Sequence, residues 1–355
     1  MNEGRKCYNE WYQMEKPIFL SPKQRIPRGA RRIDALAESL EELFVVRHPQ
    51  FRKQPFRDSP EWKIFLRQTA GQEQWVYFPW QRAAVRILSE QLYFALRTAR
   101  NKNLITKTEQ EQYRGMKVGV AGLSVGSSII ASLVLTGGPK VLKIADFDTL
   151  APSNLNRIRA GIADLGIPKI ELVARDIWNA DPFAKLYLWN QGISEKQIEK
   201  FMVGAPRLDV FIDEMDSLEV KVAARVIAKR ARMPVLMATD YGDSVLLDVE
   251  RFDQEPRRPI FHGILGNLTV KQAREAKGPQ WFALVEKIIG GKFMPQRHRE
   301  SLREVGKTLA GVPQLGTDAL LAGAAVSRAV RQIANREKLP SGRYLLDLNG
   351  MARLK

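Results

Sequence analysis

The feature that most restricts the fold is an alternation of short apolar runs with helical segments between residues 115 and 240. The apolar runs are "KVGVAG", "KVLKIADFD", "AKLYLWNQ", "RLDVFIDEMD" and "MPVLMATD", and segments of helical periodicity follow most of them. Strands that alternate with helices predict an α/β fold with a doubly wound, mainly parallel sheet. Because ligands bind beyond the carboxyl ends of such strands, we expect the loops at 122–127, 146–157 and 213–217 to converge.

The loop after the first predicted strand, residues 122–126, has two interpretations. It fits G-x-S-x-G, the strand-to-helix turn that presents a nucleophilic serine, here Ser124. It also fits a shortened Gly-rich loop whose backbone amides bind phosphate at a helix N-terminus. A nucleophilic serine needs a base, and His262 or His298 would follow it in the permitted order. The loop by itself leaves both interpretations open.

The formal net charge of +17 indicates a polyanionic partner such as nucleic acid, ATP or an acidic peptide, or else a solvated basic surface. No zinc-finger spacing and no RNA-binding aromatic signature supports nucleic acid, so we expect none as a partner. No apolar run approaches the roughly 20 residues of a membrane span, and the N-terminus lacks a signal-peptide pattern. We therefore expect a cytoplasmic protein without a membrane partner. Cys7 is the only cysteine, which rules out an intrachain disulfide and a Cys-based zinc site.

Residues 1–95 differ in composition and are expected to form an N-terminal α+β accessory region. The stretch "RRIDALAESLEELFVVRH" has apolar residues at helical spacing from Ile33 to Phe44. The stretch "EQWVYFPWQRAAVRIL" predicts a short aromatic strand or loop that leads into a helix. Later in the chain, "TDALLAGAAVSRAVRQIA" predicts a helix whose small residues permit close packing.

The second predicted loop carries a denser set of polar residues, "IADFDTLAPSNLNR". Asp146 and Asp148 come just after the strand, and Asp146 lies 24 residues after Gly122. That separation is close to the roughly 20 residues at which an acidic residue meets the ribose in dinucleotide folds. The sequence Ser-Asn-Leu-Asn-Arg follows and ends at Arg157.

Taken together, G-x-x-x-G-S, D-x-D-x-L-x-x-S-N-L-N-R and the "LGIPK" lysine resemble the ThiF/MoeB and ubiquitin-activating-enzyme superfamily. The similarity runs from about Arg97 to Glu250 and continues more weakly in the helix at 317–332. The resemblance implies a Rossmann-like, ThiF-type domain over residues 96–355, with a C-terminal helical extension. It also implies an enzyme that uses ATP to adenylate a carboxylate.

The resemblance assigns nucleotide contacts to the loops that are expected to converge. The residues expected to bind ATP are Gly122, Ser124, Gly126, Asp146, Asp148, Asn154, Asn156 and Ser217. Among them, Asp146 matches the acid that binds the ribose, and the loop amides cradle phosphate. Arg157 and Lys169 match the catalytic cations that contact phosphate.

The strand "LDVFIDEMD" matches the family's strand that ends in a magnesium-binding aspartate, and Asp216 occupies that position. Asp213 and Glu214 are additional acids nearby. The segment "LRTARNKN" resembles the family's R-x-x-R segment, whose arginine reaches the ATP of the partner subunit. We expect a homodimer in which Arg100 acts in trans, with Arg97 as the second choice. The expected cofactors are ATP and Mg²⁺, without zinc.

Three departures from the family pattern narrow the reaction. The Gly loop is one residue short and has Ser124 where glycine is usual. Neither the cysteine that carries a thioester or persulfide nor the two Cys-x-x-Cys zinc pairs are present, since Cys7 is the only cysteine. This pattern resembles cysteine-less members of the microcin and pantocin type, which modify ribosomal peptides in antibiotic biosynthesis. By that resemblance, the substrate is a peptide or small protein, and residues 1–95 bind its leader peptide or support the dimer.

Other functions explain fewer of these residues. Activation of a ubiquitin-like sulfur carrier is the alternative within the family, and a non-catalytic nucleotide-binding scaffold is the alternative outside catalysis. An NAD-linked oxidoreductase would explain the loop and Asp146, but not Arg157, Lys169 and Asp216. A serine hydrolase would use Ser124, but it leaves Ser-Asn-Leu-Asn-Arg unexplained.

Overall fold

A computed structural model describes residues 14–350 except Pro22, with Asn349 described by its backbone only. Cys7 therefore lies outside the described residues. The chain divides into two compact units, one that ends at Arg100 and one that begins at Asn101. Within the described ranges, no helix has an apolar stretch long enough to cross a membrane.

The first unit is an α+β unit with a four-stranded sheet in the order β1-β3-β4-β2. Strand β3 pairs antiparallel with β1 and β4, whereas β2 pairs parallel with β4. Leu43, Phe44, Trp62 and Phe65 form the centre of its apolar core. In chain order the elements are β1 (Ile18–Leu20), β2 (Arg31–Asp34), α1 (Leu36–Arg47), α2 (Pro60–Thr69), β3 (Glu73–Phe78), β4 (Ala83–Leu88) and α3 (Glu90–Arg97).

Two predictions for this unit are wrong. Ile33 lies on strand β2, and the helix begins only at Leu36. The stretch "AAVRIL", predicted as part of a helix, forms strand β4 and has neighbours on both sides. Strand formation depends on cross-strand neighbours more than on local propensity. The pairing of β2 with β4, with Arg31 opposite Ala83, joins segments that are distant in sequence.

The second unit contains a seven-stranded sheet in the order β11-β10-β9-β8-β5-β6-β7. Its elements are α4 (Lys107–Gly115), β5 (Lys117–Ala121), α5 (Val125–Leu135), β6 (Val141–Ala145), α6 (Lys169–Ala180), β7 (Lys185–Trp189), α7 (Glu195–Val203), β8 (Val210–Asp213), α8 (Leu218–Ala231), β9 (Val235–Asp240), β10 (Ser244–Glu250), α9 (Val270–Glu275), α10 (Gly278–Ile288), α11 (Gln296–Glu304), α12 (Gly316–Ala334) and β11 (Gly342–Asp347).

The five strands predicted from sequence, β5 to β9, are parallel to one another. Helix α5 packs against α6 and α12, whereas α8 packs against α7 and α9. A Cβ atom added at Gly323 of α12 would lie 2.6 Å from the carbonyl oxygen of Ser128 on α5. The predicted α/β architecture and the close packing of the late helix are therefore confirmed.

Strands β10 and β11 are absent from the sequence prediction. β10 pairs antiparallel with β9, and β11 pairs antiparallel with β10 at the edge of the sheet. Every residue of β10 is buried. Asp248 and Glu250 interrupt the apolar pattern of β10, and buried acids are rare unless they are paired. Arg343 pairs with Asp248 at 2.9 Å, and Arg225 pairs with Glu250 at 2.6 Å. The strand is thus stabilised by cations that lie 25 and more residues away in sequence.

The three loops predicted to converge lie together at the carboxyl ends of β5, β6 and β8. The backbone N–H of Gly122 donates to the carbonyl of Ala145 at the end of β6 (2.9 Å). The N–H of Glu214, after β8, donates to the carbonyl of Ala121 at the end of β5 (2.8 Å). These two bonds continue the sheet pairing beyond the strands and bring the loops to one edge.

Candidate functional site

The Gly loop joins β5 to α5 and requires glycine at its first position. Gly122 has φ +91°, and a Cβ atom there would lie 2.1 Å from the carbonyl oxygen of Glu214. Gly126, in the first turn of α5, could accept a Cβ only at 3.0 Å from Val120. Both glycines therefore let the loop pack closely against the ends of β5 and β8. Helix N-termini present unpaired amides and a positive dipole end, which favour anions.

We expect Gly122→Ala to lower the free energy of unfolding by several kcal/mol, because the substitution combines an unfavourable φ with a backbone clash. Gly166→Ala is the matched control: Gly166 has φ +83°, but no atom lies within 4 Å of an added Cβ. The strain of a positive φ should cost roughly 1 kcal/mol in both variants, so the difference between them measures the clash. Urea denaturation gives both values. Equal stability of the two variants would contradict the packing of Gly122 against Glu214.

Asp146 ties the Gly loop to the second loop through both carboxylate oxygens. Leu123 N–H donates to Oδ2 and Asp148 N–H donates to Oδ1, each at 2.7 Å. Burial raises the pKa of Asp146, and the two backbone N–H groups and Lys169 oppose that rise. The structure therefore gives Asp146 a role in holding the loops. Its predicted contact with a ribose stays a prediction.

Lys169 and Asp148, two predicted site residues, form an ion pair. The Nζ atom of Lys169 lies 2.9 Å from Oδ2 of Asp148, and the N–H of Lys169 donates to the carbonyl of Asp148 at the same distance. Lys169 is buried, whereas half of the Asp148 side chain is exposed. Lys169, at the start of α6, is thus held next to the loop that follows β6. A phosphate would compete with Asp148 for it.

Arg157 lies beside the Gly loop. Its Nε donates to Ser124 Oγ at 2.9 Å, and its Nη1 donates to Asn156 Oδ1 at 2.9 Å and to the carbonyl of Ser153 at 3.1 Å. Within the part of the chain that the structure describes, Nη2 forms no hydrogen bond. Ser124 therefore orients a guanidinium that still has a donor available for an anion. Guanidinium groups suit phosphate because their donors are fixed in a planar fork.

The two asparagines of Ser-Asn-Leu-Asn-Arg have different surroundings. Asn154 is buried, and its Oδ1 accepts a bond from Ala151 N–H at 3.1 Å, which stabilises the turn. Asn156 is exposed, and its Nδ2 donates to the carbonyl of Gln314 at 2.7 Å. Asn156 thus connects this loop to the segment before α12. Both predicted nucleotide contacts stay predictions.

Asp216 lies between β8 and α8 with an exposed side chain, and it forms no hydrogen bond or ion pair with another described residue. Ser217 is the N-cap of α8, and its Oγ accepts a bond from Val220 N–H at 3.3 Å. In residues 14–350 without Pro22, no group of three or more His, Cys, Asp or Glu side chains is arranged to hold a metal. A lone, unpaired carboxylate fits Mg²⁺ that is bound mainly by phosphate oxygens and water.

Sequence analysis did not identify the buried ion network below this edge. Asp213 is fully buried, next to Lys221 at 3.2 Å and to Arg225. Arg225 also lies 2.6 Å from Glu250 and is fully buried. Burial raises the pKa of Asp213, but Lys221 and Arg225 outweigh burial and the net shift is downward. Asp213 is therefore neutralised by protein cations and is not a free metal ligand.

A second group that sequence analysis missed surrounds Asp240, the last residue of β9. Asp240 Oδ2 accepts a bond from Gln314 Nε2 at 3.3 Å. Burial and the charge of Asp318 raise the pKa of Asp240 to about 7, against the effects of Gln314 and Arg157. Its position at the carboxyl end of a parallel strand was the only signal that could have indicated it.

The two arginines expected to act across a dimer lie in the first unit. Arg97 is the last residue of α3, with its guanidinium 5.9 Å from the ring centroid of Phe94. Arg100 is exposed on a short 3₁₀ turn, Ala99–Asn101. Their predicted action at the ATP of a partner subunit stays a prediction.

The histidines considered as bases for Ser124 have other partners. His262 Nε2 lies 2.7 Å from Asp248 Oδ1, and its Nδ1 lies 2.9 Å from Arg258 Nη2. His298 is buried beside Tyr241, with ring centroids 6.3 Å apart. Ser124 itself accepts a bond from Arg157, a cation that cannot take its proton. This geometry favours an anion-binding loop over a nucleophilic serine.

Comparison with known proteins identifies relatives of this chain. An uncharacterised protein of Mycobacterium tuberculosis, MT1398, is 40% identical over 277 residues. That match covers 78% of this chain, and the chain spans 38% of the length of the mycobacterial protein. The molybdopterin-synthase adenylyltransferase of Haemophilus influenzae is 22% identical over 171 residues, which are 46% of this chain and 68% of that protein.

The crystal structure of E. coli MccB with ATP has a similar fold, with a TM-score of 0.51. The identity is 14%, and the superposition covers 89% of this chain and 85% of MccB. MccB in complex with N-formylated MccA gives the same score, identity and coverage. The sequence model of the ThiF family matches residues 97–346. This chain therefore belongs to the ThiF family, whose members are ATP-dependent adenylyltransferases.

Proposed function

We propose that this chain is an ATP-dependent adenylyltransferase that activates a carboxylate of a peptide or small protein. The observation that carries the proposal is the position of Arg157, held by Ser124 at the N-terminus of α5 with a guanidinium donor still available. A cation beside a Gly loop and a helix N-terminus is an arrangement that binds polyphosphate. Lys169 adds a second cation next to the same loops.

The first chemical step needs charge stabilisation more than a base. The substrate carboxylate is already ionised at neutral pH. One of its oxygens forms a bond to the α-phosphorus of ATP, and the bond between that phosphorus and the departing pyrophosphate breaks. Negative charge accumulates on the phosphate oxygens and on pyrophosphate. Arg157, Lys169 and the amides of α5 offset this charge, which is the main catalytic device available to such a site.

Asp216 is the residue that we assign to Mg²⁺. When bound, the metal ion neutralises phosphate charge and orients the leaving group. Asp216 contributes one exposed carboxylate for it, and Ser217 fixes the start of α8 beside that carboxylate. Because Asp213 is paired with Arg225 and Lys221, it remains in the buried network and supports the strand end.

The second step uses a nucleophile other than an enzyme cysteine. Cys7 is the only cysteine of the chain and lies outside the family's cysteine region. An amine, an amide or a group within the substrate attacks the carbonyl carbon of the adenylate, and AMP leaves. We therefore favour a role in peptide natural-product biosynthesis over activation of a sulfur carrier. The similar fold of MccB, solved in complex with N-formylated MccA, supports a peptide as the substrate.

We assign adenylation to residues 96–355, and leader-peptide binding or dimer support to residues 1–95. In this proposal the enzyme is a homodimer, and Arg100 of one subunit contacts the ATP of the other. The exposed position of Arg100 on its 3₁₀ turn supports this role. The net charge of +17 suits an acidic peptide substrate.

Exchange of labelled pyrophosphate into ATP tests the proposal. The full chain is incubated with ATP, Mg²⁺ and either synthetic acidic peptides or a purified ubiquitin-like sulfur carrier. Exchange stimulated by a peptide supports the proposed function, and exchange stimulated only by the carrier supports the alternative. ATP binding without exchange under any of these conditions would support a non-catalytic nucleotide-binding protein and would overturn the proposal.

We expect Asp216→Ala to reduce the exchange rate by about 100-fold or more, because the metal loses its protein ligand. Asp209→Ala is the matched control. Asp209 is an exposed aspartate just before the opposite end of the same strand, where it accepts a bond from Lys117 N–H at 2.8 Å. A loss of exchange in both variants would point to a general effect on the strand and would contradict the role of Asp216.

A further inference from the structure

Asp240 has a buried carboxylate oxygen without a hydrogen-bond partner in residues 14–350 apart from Pro22. The residue is 7% exposed and lies at the carboxyl end of β9. Its Oδ2 accepts a bond from Gln314, whereas its Oδ1 has no hydrogen-bond partner among the residues that the structure describes. Leaving a buried polar atom without a partner is unfavourable, and more so when the group is charged. Such an atom requires an explanation.

A short series of hydrogen bonds connects Asp240 to Arg157, beside the Gly loop. The Nε2 atom of Gln314 donates to Asp240. The backbone carbonyl oxygen of Gln314 accepts a bond from Asn156 Nδ2, at 2.7 Å. Asn156 in turn accepts a bond from Arg157 Nη1 at 2.9 Å. Asp240 therefore belongs to the same assembly of side chains as the arginine that we assign to phosphate.

The charged groups that face Asp240 are Arg157, Asp318 and Glu214. Asp318 is fully buried on α12, and its two oxygens accept bonds from the N–H groups of Gly242 and Asp243, at 2.9 Å and 2.6 Å. Asp318 thus keeps a fixed position and repels negative charge on Asp240. Arg157 is the one cation in this group. Any ligand that occupies Arg157 weakens the attraction that keeps Asp240 ionised.

We propose that Asp240 is a proton-carrying positioning residue of the nucleotide site, which takes up a proton when ATP phosphate binds Arg157. The proposal rests on the proposed function, because it assumes that ATP binds at this site. Without ATP, ionised Asp240 is attracted to Arg157. With ATP, the phosphate oxygens take over Arg157 and add negative charge nearby. Asp240 then becomes neutral and no longer competes with phosphate for the guanidinium.

Because phosphate replaces Asp240 as the partner of Arg157, the affinity for ATP depends on pH. Burial and Asp318 raise the pKa of Asp240 to about 7 in the free protein, and a bound polyanion raises that pKa further. Below pH 7, Asp240 is largely protonated before ATP binds, and binding is then tightest. Binding weakens as the pH rises from the free pKa towards the pKa of the complex. The site binds ATP more tightly under slightly acidic conditions.

Asp240→Asn tests the proposal, because asparagine is a permanent neutral substitute for the protonated acid. Isothermal titration calorimetry with ATP and Mg²⁺ is carried out at pH 6 and at pH 8.5, in buffers of different ionisation enthalpy. At pH 6 we expect the variant and the wild-type protein to bind ATP equally. At pH 8.5 we expect the variant to bind about tenfold more tightly and to take up fewer protons. A merely structural role predicts weaker binding at both pH values.

Asp176→Asn is the control: the Asp176 side chain is half exposed on α6, and its charged neighbours are Arg159 and Asp164. This variant should keep the wild-type pH dependence. If Asp240→Asn fails to fold, calorimetry of the wild-type protein tests the proposal by itself. The proposal is overturned if ATP binding takes up no more protons than the titration of ATP itself explains. The proposal is also overturned if the ratio of the ATP affinities of Asp240→Asn and the wild-type protein is the same at both pH values. If the wild-type protein does not bind ATP at either pH, the proposed function itself fails.

Discussion

We expect Arg157→Ala to reduce pyrophosphate exchange by about 10²–10³-fold, the range observed when one donor to a developing negative charge is removed. The guanidinium donates to Ser124 and Asn156 and keeps Nη2 available beside the N-terminus of α5. Its loss removes the cation closest to the Gly loop, and no neighbouring side chain can replace a planar fork of donors. The same variant should bind ATP more weakly, as measured by calorimetry.

Arg159→Ala is the control for this prediction. Arg159 lies two residues further along, is half exposed and has its Nη2 3.7 Å from Asp176. Exposed ion pairs of this kind contribute about 0–1 kcal/mol, so exchange should stay close to the wild-type rate. An Arg157→Ala variant that retains exchange would contradict the assignment of Arg157 to phosphate. Loss of exchange in both variants would indicate that the whole loop has changed.

Arg225→Met should destabilise the second unit by about 3–5 kcal/mol, because it leaves buried acids without their cation. Arg225 is fully buried between Asp213 and Glu250, and its guanidinium lies 3.9 Å from the ring centroid of Phe261. Methionine fills much of the space but offers no hydrogen-bond donor. Lys221 would remain beside Asp213, whereas Glu250 would keep only the bond from Phe261 N–H. Urea denaturation measures the loss.

Arg230→Met on the same helix is the control. The Arg230 side chain is 64% exposed and pairs with Glu199 at the surface. Replacing it should change the free energy of unfolding by less than about 1 kcal/mol. If Arg225→Met were equally harmless, Asp213 and Glu250 would have to lose their charge at little cost.

Much of the candidate site follows from local sequence. The glycines at 122 and 126, Asp146 and Arg157 all follow strands whose apolar runs are short and clear. In a parallel sheet, residues just after neighbouring strands must meet at one edge, so their proximity needs no knowledge of distant contacts. The structure confirms this proximity through the bonds from Leu123 to Asp146 and from Arg157 to Ser124.

Local sequence could not show which acids near the site are paired with cations and which are available to a ligand. Asp213, Asp216 and Asp240 all follow or end apolar runs, and each has the same local signal. The structure separates them: Asp213 is buried with two cations, Asp216 is exposed and unpaired among the described residues, and Asp240 is buried with one free oxygen. These differences come from Arg225 on α8 and from Gln314 before α12.

The sequence alone determined the parallel part of the sheet, the converging loops and the family, because strand periodicity and motif spacing are local properties. Only the tertiary structure decided that Ser124 accepts a bond from Arg157, that β10 and β11 extend the sheet, and that Asp240 belongs to the same assembly as Arg157. The pairing of β10 with β11, the Arg157–Ser124 bond and the Gln314–Asp240 bond depend on partners 30 or more residues apart. Burial sets the free energy of a charge, and a linear pattern does not contain burial.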